Sequence, residues 1–273
     1  MAVYALTSLS GAPGVTTLAI AWAYQNTRPT LILEADPTGG SPILAGPFRG
    51  NLLHDTSVLL LAERDPAELQ EWMWHHAIAL PETTDRKVLP AVASHAQARA
   101  LAGTWPGLAD TVQHFSAGTG TDVLLDLGRL TLEYSARALL PAADAVLVLT
   151  SATLPGINTV VWALDELRDT LQASGDPDRL AVVPVRAATG LTRGLLRRQD
   201  PTAAAQPWSQ AEIARAIDPT AVLGPLPWRP EQAQVYAHAT LAPKDWTQGA
   251  YSRAVSTLMA AAADHVDGSA AAG

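Results

Sequence analysis

Short runs of continuous apolar residues alternate along this chain with longer stretches of helical character, and that alternation leaves few folds open. The runs at residues 3–8, 30–34, 87–92, 122–126, 145–150, 180–185 and 221–226 have the length of β-strands. Most are apolar throughout rather than at every second residue, which is the mark of strands covered on both faces. Helices are expected near residues 16–25, 66–76, 105–115, 132–140, 157–173, 210–217, 230–239 and 248–263. Repeated strand–helix–strand units build a mainly parallel sheet with helices on both sides. The expected fold is therefore α/β, a single doubly wound domain over residues 1–263. Residues 39–51 and 197–207 are rich in turn formers and read as loops, and residues 264–273 read as a frayed tail.

Composition removes several functions. With 48% apolar residues in 273, the chain has material for a sizeable core. No apolar run is long enough to span a bilayer, and the N-terminus lacks a basic region, so it reads as a first strand rather than a signal peptide. The absence of cysteine excludes disulfides, thiol catalysis and cysteine-based metal sites, and a cytoplasmic protein is the simplest expectation. A net charge of −8 argues against DNA or acidic membrane as a partner. The basic residues are skewed: Lys87 and Lys244 are the only lysines among 18, and the rest are arginines.

The first strand runs into Ser10-Gly11-Ala12-Pro13-Gly14-Val15-Thr16-Thr17 and then a helix. A glycine-rich loop at a helix start suits a phosphate, because backbone N–H groups converge there and the helix dipole favours an anion. Gly11 and Gly14 are free to take conformations that bulkier residues resist. Thr16 sits where a phosphate-loop hydroxyl ligates magnesium. The plainer alternative is an ordinary strand-to-helix turn in which Gly and Thr cap the helix. Three further segments favour the phosphate reading. Glu34-Ala35-Asp36-Pro37 places two carboxylates at the end of the second strand. Asp122-Val123-Leu124-Leu125-Asp126-Leu127-Gly128 is an apolar strand ending in an Asp that is placed to hold magnesium through water. Residues 142–150 form another apolar run, which leads through Pro155 into an amphipathic helix.

In order and spacing these segments resemble the ParA/MinD superfamily of deviant Walker ATPases, over most of the chain. That family's loop reads Lys-Gly-Gly-x-Gly-Lys-Thr-Thr, and residues 34–39 are similar to its switch I. Residues 224–228 are similar to its late proline-containing loop beside the adenine. The resemblance implies ATP and magnesium as ligands. Residues Gly11, Ala12, Pro13, Gly14, Val15, Thr16 and Thr17 would form the nucleotide-binding loop, and Thr16, Asp36 and Asp126 would surround the metal. Asp36 would hold the position that orients the attacking water.

The departures matter equally. Ser10 and Val15 stand where the family has its intermolecular and phosphate-loop lysines, and Pro184 falls where it often has an adenine-reading Asn. Preorganised charge is usually the largest catalytic contribution, a lost donor costing roughly 2.7–4 kcal/mol. Turnover should therefore be nearly abolished unless Arg49 or Arg129 substitutes. The loop is most similar to the lysine-less CpaE/TadZ branch, which is linked to localising pilus or secretion machinery. Three functions stay open: a nucleotide-binding regulatory or localisation protein with little ATP hydrolysis, an active partitioning-type ATPase with a different cation, and a scaffold that binds no nucleotide. A homodimer or protein partner is expected for the first.

Other features carry less. His75 and His76 are adjacent on an expected helix and so do not share a face, which disfavours a metal site. Arg186, Arg193, Arg197 and Arg198 form a basic cluster that reads as solvated or partner-facing in an acidic chain. Trp228 either packs or stacks on a nucleotide, and packing is the expectation.

Overall fold

The computed structural model describes residues 1–10, 14–55, 57–63, 68–187, 207–238 and 246–272. The strands are β1 (Val3–Ser8), β2 (Thr30–Glu34), β3 (Ile78–Ala79), β4 (Arg86–Leu89), β5 (Asp122–Arg129), β6 (Ala145–Ser151), β7 (Leu180–Ala187), β8 (Ala221–Val222) and β9 (Leu226–Trp228). They form one sheet in the order β3-β4-β2-β5-β1-β6-β7-β8, with β9 also on β7. Every pairing is parallel except that of β3 with β4. The helices are α1 (Val15–Gln25), α2 (Pro42–Ala45), α3 (Leu69–His76), α4 (His95–Leu101), α5 (Trp105–Thr119), α6 (Leu154–Gln172), α7 (Gln210–Ala216), α8 (Pro230–His238) and α9 (Ala250–Ala272).

The apolar strands feed two cores, because successive side chains point to opposite faces of the sheet. Val3 and Ala5 of β1, with Val123 and Leu125 of β5, join Val112 and Phe115 of α5 and Val160 and Leu164 of α6. Tyr4 and Leu6, with Leu124, join Leu18 and Trp22 of α1 and Val255 and Leu258 of α9. Tyr4 and Trp22 pack with ring centroids 4.8 Å apart. The expected doubly wound α/β fold is the fold observed.

Several local expectations are corrected. Residues 132–140 do not form a helix: Tyr134 has a positive φ of 61°, and only a 3-10 turn, Arg137–Ala142, follows, with Pro141 inside it. The loop at 39–51 contains α2, which Ser41 caps by accepting the Leu44 N–H. The strand expected at 221–226 is two short strands, β8 and β9. The residues expected as a tail are helical, since α9 continues to Ala272. Val266 packs on the second core, and the Ser269 hydroxyl donates to Asp176. The loop at 197–207 lies, except for Pro207, outside the described residues, as do Arg193, Arg197, Arg198 and Lys244.

Candidate functional site

Because β1, β2 and β5 are neighbouring parallel strands, their C-terminal ends share one edge of the sheet. The chain leaves β1 there and enters α1 through Gly14, whose φ of 90° is left-handed and suits glycine. Leu18 donates to the Gly14 carbonyl at 2.9 Å, so the helix begins there. The first turn of a helix has N–H groups without intrahelical partners, and no side chain caps this one. A cavity of about 670 Å³ opens onto that turn. Gly14, Val15, Thr16 and Thr17 line it together with Asp36 and Gly128. Gly11, Ala12 and Pro13 lie outside the described residues.

The carboxylates divide into one at the cavity and two beneath it. Asp36 lines the cavity and accepts the Thr38 N–H at 2.8 Å. It rests on Gly128: a Cβ there would lie 2.0 Å from Asp36 Oδ2, and Gly128 also has a positive φ of 56°. Glu34 and Asp126 are fully buried and paired in register between β2 and β5. Glu34 accepts from Ser41 Oγ at 2.5 Å and from the Ala91 N–H at 2.9 Å. Burial, and next the charge of Asp126, pushes its carboxyl up to about 8. Burial pushes Asp126 up to about 7; the Thr16 hydroxyl opposes this, and the charge of Asp36 adds to it. Glu34 therefore lies under the site, tied to α2, whereas Asp126 is within reach of Thr16.

A bulge shapes the same edge. Leu6 pairs with Asp126 but Ser8 pairs with Arg129, so β5 carries one extra residue between them. Such bulges re-aim side chains beside functional sites. The displaced Gly128 carbonyl is met by Thr7 Oγ1 at 3.1 Å, and both Ser8 and Arg129 line the cavity.

These residues fit a magnesium-bound polyphosphate. Asp126 Oδ2 is buried without a hydrogen-bond partner beside a threonine hydroxyl, which suits a cation. The uncapped turn of α1 suits an anion. Sequence reasoning did not find a second wall, where Pro42, Ala45, Ala237 and His238 also line the cavity. Gly46 meets Ala237 so closely there that a Cβ would fall 2.0 Å from its carbonyl oxygen. No short motif marks that wall, which forms only when α8 folds back on α2.

Other expectations resolve as follows. Trp228 is 52% exposed and does not line the cavity, so it neither packs in the core nor borders the site. Lys87 lies on β4, with Nζ donating to the Trp74 carbonyl and stacked over its ring, and does not line the cavity. The His75 and His76 rings turn back to the carbonyls of Glu71 and Trp72. Among the described residues no group of three His, Asp or Glu is arranged to hold a metal by itself. None of the described helices is long and apolar enough to cross a membrane.

No protein-family model matches the sequence, and no curated protein matches it either. Solved structures do. A ParA family ATPase from Chlorobium tepidum matches with a TM-score of 0.66 and 12% identity, covering 93% of this chain and 96% of its own. MinD from Aquifex aeolicus matches with a TM-score of 0.65 and 16% identity, covering 93% and 94%. MinD from Pyrococcus horikoshii, solved with Mg-ADP, matches with a TM-score of 0.62 and 15% identity, covering 94% and 93%. The fold defines a doubly wound α/β domain with a mainly parallel sheet. The fold is that of the ParA and MinD ATPases.

Proposed function

We propose that this chain is a MinD/ParA-like nucleotide-binding regulatory protein of the cytoplasm that hydrolyses ATP slowly or not at all. The observation that carries the reading is the uncapped N-terminus of α1 opening, with Thr16 and Asp36, onto a cavity of about 670 Å³. In this reading the first-turn N–H groups hold the phosphates, and Thr16, Asp36 and Asp126 hold magnesium. The metal, when bound, neutralises phosphate charge and the buried carboxylate. Asp36, fixed on Gly128, keeps the position that would orient water. Val15 and Ser10 supply no cation, which is the support for weak turnover. The structural relatives include MinD of Pyrococcus horikoshii with Mg-ADP and MinD of Aquifex aeolicus in complex with MinC. By analogy, the output is localisation or partitioning through a homodimer or protein partner, in keeping with the loop's similarity to the CpaE/TadZ branch.

Melting in millimolar ATP or ADP, with and without magnesium, tests this reading. Ligand at about 100 times its dissociation constant stabilises by roughly 2.7 kcal/mol, a shift of several degrees. The shift should require magnesium and shrink in Thr16→Ala. No shift in any condition, together with a flat calorimetric titration, would leave the scaffold function in its place.

A further inference from the structure

Among the described residues that line the cavity, one carries a permanent positive charge, and it comes from the sheet. Arg129 ends β5 immediately after the bulge, paired with Ser8, and lines the cavity together with Gly14, Val15, Thr16 and Thr17. Its Nε is buried and has no hydrogen-bond partner. Four other arginines are held in ion pairs, Arg28 with Asp122, Arg86 with Asp85, Arg137 with Glu166 and Arg179 with Asp176, and Arg186 and Arg229, which also keep a buried Nε without a partner, do not line the cavity. Among the described residues no ion pair holds Arg129, although Asp36 lines the same cavity and Asp126 lies three residues back on its own strand. Arg49, the other candidate substitute, is not among the cavity residues.

The bulge is what delivers the side chain. Leu127 and Leu130 both belong to the core beneath α5 and α6, although residues three apart on a regular strand face opposite ways. The extra residue shifts Arg129 onto the face of Ser8, where α1 lies. A guanidinium offers donors in a planar fork that matches phosphate oxygens, and buried donors left unpaired are costly unless a ligand takes them up.

Resting on the nucleotide-binding reading above, we propose that Arg129 is the phosphate-binding cation of this site, supplying from β5 the charge that the loop lacks at Val15. Its ligand is the polyphosphate of a nucleoside di- or triphosphate. The role is in binding, so it is compatible with slow turnover.

Isothermal titration with Mg-ATP and Mg-ADP tests the assignment on the full chain, with Arg129→Ala, Arg129→Gln and Arg129→Lys. Loss of a charge-assisted phosphate contact should weaken binding about 10- to 100-fold in Ala and Gln, and less in Lys. The double variant Val15→Lys/Arg129→Ala should recover affinity, because charge returns from the loop side; a merely structural role for Arg129 would not be rescued there. Circular dichroism melts of each variant confirm that it is folded, and Gln replaces Ala if Ala is not. If wild type binds Mg-ATP and the folded Ala or Gln variant binds it equally well, the Arg129 assignment is overturned and the nucleotide reading stands. If wild type binds neither nucleotide, both fall.

Discussion

Glu34 and Asp126 stand opposite each other on neighbouring strands, both sealed from solvent, and each keeps one carboxylate oxygen without a hydrogen bond. Burial pushes both carboxyls up from ordinary values of 4.5 and 3.8, to about 8 for Glu34 and about 7 for Asp126. Each therefore binds its proton more tightly in the folded chain than in the unfolded one. Their contribution to stability is fully present at low pH and is lost as pH rises from about 4 through about 8. Glu34→Gln keeps an acceptor for Ser41 and removes one titration. Melting temperature measured from pH 5 to 9 should fall less steeply in this variant than in wild type. Parallel curves would show that Glu34 does not titrate in this window.

Gly128→Ala places a methyl group against the Asp36 carboxylate and forces a side chain onto a positive φ. Strain of this kind costs about 1–3 kcal/mol. Denaturant melts should show that loss, and magnesium-dependent nucleotide binding should weaken further because Asp36 is displaced. A variant as stable as wild type would mean that the Asp36 side chain moves aside easily at this point.

Val15 is 6% exposed and belongs to the core between the sheet and α1. Val15→Lys should therefore destabilise the free protein by up to about 2 kcal/mol through lost apolar burial. The same variant should bind Mg-ATP more tightly while hydrolysing it little, since the intermolecular position remains Ser10. Steady-state phosphate release measures this. Robust magnesium-dependent hydrolysis by the unmodified chain, abolished by Asp36→Ala, would overturn the weak-turnover reading.

Truncation after Ala263 removes Val266 from the second core and Ser269 from Asp176. The expected loss is about 1–2 kcal/mol, close to the burial of one aliphatic side chain. A calorimetric scan should show a lower melting temperature. An unchanged value would mean that the last turns of α9 add nothing to the fold.

The sheet was legible in the sequence because its central strands are apolar on both faces, and a run such as Val146–Leu149 has few other uses. The grouping of Gly14, Thr16, Asp36 and Asp126 at one edge, the candidate site, was legible because their spacing follows from strand ends that meet there. The parts that escaped are set by tertiary contact. α4 buries little beyond Ala98 and Leu101, too weak a stripe to announce a helix. β3 is two residues long and exists because β4 offers an edge. The bulge at Gly128 leaves no pattern in the sequence beyond the glycine itself, so the approach of Arg129 to the cavity could be named only as one candidate among two. The last turns of α9 are rich in Ala, Gly and Ser, and their order rests on Val266 and on a partner at Asp176.

The helix that follows the loop after β1 shares its core with the helix that ends the described chain: Leu18 and Trp22 of α1 lie in one cluster with Tyr251, Val255 and Leu258 of α9. During synthesis the loop and its strand leave the ribosome more than two hundred residues before the layer that supports them. Until then α1 has an exposed apolar side and no firm seat on the sheet. A nascent chain stalled before residue 250 should carry the loop sequence without a formed pocket, so the nucleotide capture proposed above would have to wait until α9 has emerged.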